Sequence, residues 1–137
     1  MKVLFICSGN SISGISPLVK NQGDSLLRFG IDIEFYTIEG KGFSNYIRNI
    51  RKLRKHIKQT RYHIFHAHYS LSALIAMLAG CKPLITSIMG SDAYGDYSTK
   101  GNIKYASLLL VIVTHILIIY SKQIIVKSQN IRASLIL

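Results

Sequence analysis

Short apolar runs alternate with longer segments of helical periodicity along this chain of 137 residues. Such alternation is typical of βαβ units, in which a crossover helix joins two parallel strands. We therefore predict an α/β fold, a Rossmann-like parallel sheet with helices on both faces. No internal repeat or Pro/Gly-rich linker interrupts residues 1–137, which favours a single domain. The predicted strands lie near 2–7, 32–38, 62–66, 83–88 and 123–127, and the predicted helices near 16–29, 44–60, 70–80 and 103–120.

The first predicted helix shows how this pattern assigns a buried face. Four residues recur at helical spacing on one side, namely Leu18, Gln22, Leu26 and Phe29. We expect this side to pack against the sheet. Gly30 follows as a left-handed cap, and the alternating residues after it predict an edge strand.

Cationic side chains concentrate on the second predicted helix. The whole chain carries 17 Lys and Arg against 6 Asp and Glu, a formal net charge of +11. Six of these cations and no acid lie within 44–60. A solvated outer face is the simple explanation, but a basic amphipathic helix also docks on anionic lipid. Nucleic acid is a weaker candidate, because few aromatic side chains flank the cations. The membrane-facing candidates are Arg48, Arg51, Lys52 and Lys55.

Cysteine usage and the apolar segments bear on localisation. Cys7 and Cys81 each stand inside an apolar stretch, which favours free thiols in a reducing compartment. The apolar run at the start stops at Ser8, too early for a secretory signal. We expect a cytoplasmic protein, peripheral on the inner face of the cell membrane if the basic helix binds lipid. The longest apolar segment, 106–120, falls short of the about 20 residues that a bilayer span needs. It predicts a buried helix, with a membrane-inserted segment as the alternative.

Polar clusters follow two of the apolar runs, at 65–70 and at 89–92. The carboxyl ends of parallel strands meet at one edge of a sheet, where open α/β sheets bind their ligands. His66 and His68 lie two residues apart, so on a strand they point to the same side. Asp92 should lie near His68, where it would either bind a polyhydroxylated ligand or cap the next helix. No further residue completes a metal site with the histidines, so we expect no metal.

Residues 8–14, mostly small and polar, link the first strand to the first helix. Amides and hydroxyls in such a loop can approach a phosphate at the amino end of a helix. The segment lacks both the Gly-Lys-Ser/Thr of a P-loop and the Gly-x-Gly-x-x-Gly of dinucleotide-binding proteins. A tight structural turn and an anion cradle therefore both remain open.

Taken together, these residues resemble the amino-terminal domain of retaining, family-4-type glycosyltransferases with the GT-B fold. The resemblance runs almost end to end, and its most specific parts are Tyr62 to Ser70 and the Gly90-Ser91-Asp92 motif. In that family two Rossmann-like domains face each other across a cleft. The amino-terminal domain mainly holds the acceptor, and the carboxy-terminal domain holds most of the nucleotide sugar.

The resemblance also implies substrates and residue roles. The donor would be a nucleotide sugar, acting as co-substrate without a further cofactor, and the acceptor a glycan or a lipid-linked sugar. His68 and Asp92 would be the catalytic residues. The donor diphosphate would meet Gly9, Asn10, Ser13 and Gly14. The sugar and acceptor would meet His66, Tyr69, Gly90 and Ser91.

Two features depart from the family pattern. Many relatives have a histidine immediately before the glycine of the Gly-Ser-Asp motif, whereas Met89 stands here and its thioether donates no hydrogen bond. These 137 residues also lack the carboxy-terminal domain, so we expect no turnover by the chain alone and a separate donor-binding domain as a partner. The alternatives are a non-catalytic module that binds anionic membrane or polymer through its basic helix, and a different nucleotide-binding α/β enzyme.

Overall fold

The computed structural model describes residues 1–40, 43–94 and 105–135, with all their side chains except those at positions 43, 91 and 105–107. Strands and helices alternate along the described chain, as the apolar pattern predicts. The strands are β1 (Lys2–Ser8), β2 (Asp32–Ile38), β3 (Ile64–His68), β4 (Leu84–Ile88) and β5 (Gln123–Val126). The helices are α1 (Pro17–Arg28), α2 (Phe43–Gln59), α3 (Ser70–Ala79), α4 (Ser91–Tyr94), α5 (Tyr105–Tyr120) and α6 (Gln129–Ser134).

The five strands form one sheet in the order β2-β1-β3-β4-β5, and every neighbouring pair is parallel. This arrangement confirms the predicted fold class and places β2 at an edge, as expected. Residues 3–7 of β1 are all buried, because helices cover both faces of the sheet. The carboxyl ends of all five strands therefore open onto the same edge.

Helices pack against both faces of this sheet. On one face, α2, α3 and α5 contribute Leu53, Ile75 and Leu117 to a shared buried cluster. Because α3 contacts both α2 and α5, these three helices form a single layer. On the other face, α1 packs through Val19. A third cluster joins α4 and α6 to the end of β4 at Ile88.

The buried face of α1 differs from the predicted one. Leu18 is 51% exposed and Phe29 is 85% exposed, whereas Val19 and Gly23 are buried. Gly23 lets the helix approach the sheet closely, because a Cβ there would lie 2.3 Å from Cζ of Phe35 on β2. Periodicity treats a glycine as a gap in an apolar stripe. Leu26, another member of the predicted face, does pack in the same cluster as Val19, so the prediction is right at that position and wrong at Leu18 and Phe29.

The prediction of a buried helix over the longest apolar segment is only partly right. Helix α5 buries Leu110, Thr114 and Leu117 but leaves several aliphatic side chains exposed on its other side. Within the described ranges, no helix is both long and apolar enough to cross a membrane. The outer side of α5 is therefore an apolar surface that faces solvent.

Candidate functional site

Two histidine rings lie side by side at the carboxyl end of β3. This strand begins two residues later than predicted, so His66 and His68 both lie within it. Their ring centroids are 4.2 Å apart, and each ring packs against Phe5 of the neighbouring strand. The prediction that they share one side is confirmed. His66 Nε2 lies 2.8 Å from Ser87 Oγ on β4, which anchors one of the two rings.

His68 is a buried polar side chain without a polar contact. It is 2% exposed, and neither ring nitrogen has a hydrogen-bond partner in the part of the chain that the structure describes. Buried polar groups in folded proteins are nearly always hydrogen-bonded, since leaving one unpaired costs about 1–3 kcal/mol. An unpaired imidazole at a strand end is therefore a candidate to bind an external hydroxyl or carbonyl.

Burial also fixes the charge of both rings. Burial and the neighbouring His66 lower the pKa of His68 to about 3, and burial lowers the pKa of His66 to about 4. Both imidazoles are therefore neutral at pH 7. A neutral imidazole offers one donor and one acceptor, which matches a sugar hydroxyl better than a phosphate.

Asp92 lies at the same edge of the sheet as His68, as predicted, and its carboxylate is fully buried. Oδ1 accepts the backbone N–H groups of Met89 and Gly90, each at 2.9 Å. Oδ2 accepts the backbone N–H of Ser70 at 3.2 Å and its hydroxyl at 3.0 Å. The carboxylate thus joins the segment after β4 to the start of α3. These bonds run to the residues before Asp92 and to the start of α3, not forward to the next helix as the capping alternative requires.

The backbone contact also bears on the departure at Met89. Its N–H, not its thioether, makes the bond to Asp92, so this bond needs no histidine side chain at position 89. Gly90 has a φ of +126°, a conformation that glycine adopts freely. The motif therefore holds its shape through main-chain geometry.

The hydroxyl of Thr114 on α5 hydrogen-bonds the backbone oxygen of Asp92. The sequence analysis did not predict this contact. Thr114 is fully buried, and its Oγ1 lies 2.7 Å from Ser70 Oγ and 2.8 Å from the backbone oxygen of Asp92. The only signal in the sequence was a hydroxyl residue inside a mostly apolar helix. Serine, threonine and aspartate thus form one buried polar network beneath the strand ends.

Tyr69, between the histidines and α3, has a strained backbone. Its φ of 80° with ψ of 143° lies in a region that non-glycine residues seldom adopt. Its N–H donates to the backbone oxygen of Ser87 at 2.9 Å, and its carbonyl accepts the N–H of Ala73 at 3.0 Å. Strain of this kind clusters at functional sites.

The Ser91 side chain, another predicted contact, lies outside the described residues.

The loop after β1 is tied to the end of the edge strand. Asn10 and Gly40 exchange two hydrogen bonds, at 3.0 and 3.2 Å. A Cβ at Gly9 would lie 3.0 Å from Thr37 Cβ, so a small residue is needed there. Ser13 is exposed, and Gly14 has a φ of +76°. The tight-turn interpretation accounts for these contacts, and anion binding by the loop stays a prediction.

The four predicted membrane-facing cations on α2 are all exposed, but they do not share one environment. Arg48 and Lys52 line an open cleft of about 500 Å³ between α2 and the end of β2. Arg51 and Lys55 do not line it. A fifth cation, Arg54, donates to the backbone oxygen of Leu78 on α3 at 2.6 Å.

The described residues contain no group of three His, Cys, Asp or Glu side chains that could hold a metal ion.

The model of the family described as Glycosyltransferase Family 4 matches residues 14–137. The match includes both polar clusters and begins at the last residue of the loop after β1. No curated protein matches the chain.

Proposed function

Since this chain belongs to glycosyltransferase family 4, we propose that it helps to transfer a sugar, with retention, from a nucleotide-sugar donor to a glycan or lipid-linked acceptor. The observation that carries the proposal is His68, a buried neutral imidazole with no described partner at the carboxyl edge of the sheet. Ligands of open α/β sheets bind at this edge.

Within that reaction, His68 bonds a hydroxyl of the transferred sugar or of the acceptor. His66 and Tyr69 line the same side, together with the Gly90-Ser91 segment. Asp92 acts beside His68, and its four internal hydrogen bonds favour a positioning role for its carboxylate. Gly9, Asn10, Ser13 and Gly14 approach the donor diphosphate, where amides and hydroxyls stabilise the charge that develops on departure.

The domain holds the acceptor, and a separate carboxy-terminal domain supplies most donor contacts. This part of the proposal rests on the two-domain architecture that the resemblance implies. Neither ring nitrogen of His68 has a hydrogen-bond partner among the described residues, so the imidazole keeps a donor and an acceptor for a substrate hydroxyl. The protein works at the cytoplasmic face of a membrane, where lipid-linked acceptors are found.

The test uses the chain alone and the chain joined to the carboxy-terminal domain of a family member. We expect the chain alone to transfer no sugar from any common nucleotide sugar, and the joined enzyme to do so. In the joined enzyme, His68→Ala should lower kcat/KM by about 100-fold or more, since one buried polar contact to the reacting sugar is lost. His115→Ala, an exposed histidine on α5, is the matched control.

Either of two results would overturn this proposal. Turnover by the chain alone would show that it needs no second domain. An unchanged kcat/KM for the joined His68→Ala enzyme, with an unchanged melting temperature, would show that the imidazole does not touch the substrates.

One observation favours a second function, attachment to an anionic surface. The described part of α2 carries six cations and no acid, and Arg51 and Lys55 make no ion pair with any described residue. A solvated face needs no such excess of one sign. Attachment would suit either an enzyme with a lipid-linked acceptor or a non-catalytic binding module.

A further inference from the structure

Helix α5 carries a row of solvent-exposed aliphatic side chains. Their exposed fractions run from 48% to 88%, the highest at Ile119. We call this row the α5 stripe, formed by Leu108, Leu109, Ile112, Ile116 and Ile119. Scattered apolar side chains on a surface are normal, but a contiguous exposed row marks an interaction site.

The five side chains of the α5 stripe share one side of the helix. At 100° per residue they fall within an arc of about 100°, opposite the buried Leu110 and Leu117. The 16 residues of α5 include no Asp, Glu, Lys or Arg, and the exposed His115 borders the stripe. The helix is about 24 Å long, less than the roughly 30 Å of a hydrocarbon core. Its geometry suits a helix that lies in a bilayer interface.

The net charge of the chain favours an anionic bilayer over a second copy of the chain as the partner of the α5 stripe. A second copy of the chain would bring together two molecules that each carry a net charge of +11. Their mutual repulsion opposes self-association through the stripe. An anionic bilayer offers an apolar interior to the stripe and negative headgroups to the cations.

Those cations lie in the same helix layer as the stripe. Helix α3 contacts both α2 and α5, so the outer sides of the three helices form one continuous surface. Between the two flanks, α3 exposes another aliphatic side chain, Leu78, which is 46% exposed. Helices that bind membrane interfaces combine an apolar face with Lys and Arg on one element, and here the two are divided between α5 and α2.

We propose that the α5 stripe inserts into the acyl-chain boundary of an anionic lipid bilayer while the outer cations of α2 contact the headgroups. The inference deepens the attachment function proposed above and rests on it. It adds that binding is hydrophobic as well as electrostatic, with α5 as the inserted element.

The first experiment measures insertion directly. The chain contains no tryptophan, so Ile119→Trp provides a single fluorescent probe on the stripe. With vesicles of phosphatidylglycerol and phosphatidylcholine we expect a blue shift of its emission, and quenching by lipids brominated on the acyl chains. The matched control is Phe29→Trp, an exposed site on the opposite side of the sheet, which should show neither. Emission from the Ile119→Trp variant that vesicles leave unchanged would overturn the inference.

The second experiment removes the apolar contact and keeps the fold. The double variant Ile112→Glu, Ile119→Glu changes two exposed positions, so its melting temperature should match the parent. Its partition coefficient for the same vesicles should fall by at least tenfold, and the deficit should persist at high salt. Ile12→Glu, Phe29→Glu introduces the same charges at exposed sites away from α5 and is the control. Comparable losses in both double variants would show a charge effect alone and overturn the inference.

Different results would overturn the insertion of α5 and the attachment through α2. Vesicle binding that survives the α5 substitutions but is lost when α2 cations are neutralised would overturn insertion and leave attachment in place. No vesicle binding by the parent chain would overturn both. Sedimentation of the parent as a dimer without lipid, with the double Glu variant monomeric, would assign the stripe to self-association and overturn insertion.

Discussion

At the scale of single residues, the two histidines of β3 link the candidate site to stability. In the folded protein the pKa of His68 is about 3 and that of His66 about 4, against about 6.5 in an unfolded chain. Between these values the unfolded chain binds more protons than the folded one. The free energy of unfolding must therefore rise with pH across this window and fall on acidification.

We expect the free energy of unfolding to fall between pH 6.5 and 5, by up to roughly 1.4 kcal/mol per pH unit for each ring. Urea titrations at pH 7, 6 and 5 measure it. Removing one of the two buried imidazoles, in His68→Asn, should reduce the dependence of the unfolding free energy on pH. A parent chain equally stable at pH 7 and 5 would show that the rings are not buried as described.

At the scale of elements, packing of α1 on β2 reverses the expected effect of replacing a helical glycine by alanine. Replacing glycine by alanine inside a helix normally stabilises it, by up to about 1 kcal/mol. At Gly23 the added methyl would meet the Phe35 ring at 2.3 Å, so ring or helix must move. We expect Gly23→Ala to destabilise the protein by about 1–3 kcal/mol, the usual cost of overpacking.

Thermal or urea unfolding checks this value. Asn21→Ala, an exposed position on the same helix, controls for helix propensity and should be neutral or slightly stabilising. A shorter side chain at the contact, in Gly23→Ala with Phe35→Leu, should recover part of the loss. Stabilisation by Gly23→Ala alone would contradict the close packing of α1 on β2.

The elements also show what the sequence could and could not predict. Strand and helix alternation follows from local periodicity, and the shared side of His66 and His68 follows from the two-residue repeat of a strand. The partners of Asp92 do not, because Ser70 lies 22 residues away and meets it only through the folded sheet. The same holds for Thr114, whose partner Ser70 lies 44 residues away. Contacts that cross between elements depend on packing, which periodicity does not encode.

At the scale of the whole molecule, the net charge of +11 is unevenly placed. If α2 serves attachment, changing Arg51, Lys52 and Lys55 to Gln should weaken binding to anionic vesicles by roughly 1 kcal/mol per cation. Parental binding should also weaken with salt, because exposed charges are screened over about 8 Å at physiological ionic strength. Vesicle co-sedimentation across a salt series measures both effects.

A control variant separates position from net charge. Changing Lys20, Arg28 and Lys127 to Gln removes the same number of positive charges from exposed sites outside α2. Its vesicle binding should stay close to that of the parent. If both triple variants bind alike, α2 is a solvated face and attachment is not its function.

The hydroxyl of Thr114 connects α5 to the Gly-Ser-Asp turn, in addition to the packing of the helix against its neighbours. One side of this helix faces solvent with its apolar row, and the other is joined through Thr114 to the main chain of Asp92 and to Ser70. A displacement of α5 against the sheet must either break those bonds or carry the Gly-Ser-Asp turn with it. A ligand on the outer side of α5 that displaced the helix would therefore disturb the contacts that hold the Gly-Ser-Asp turn at the carboxyl edge of the sheet.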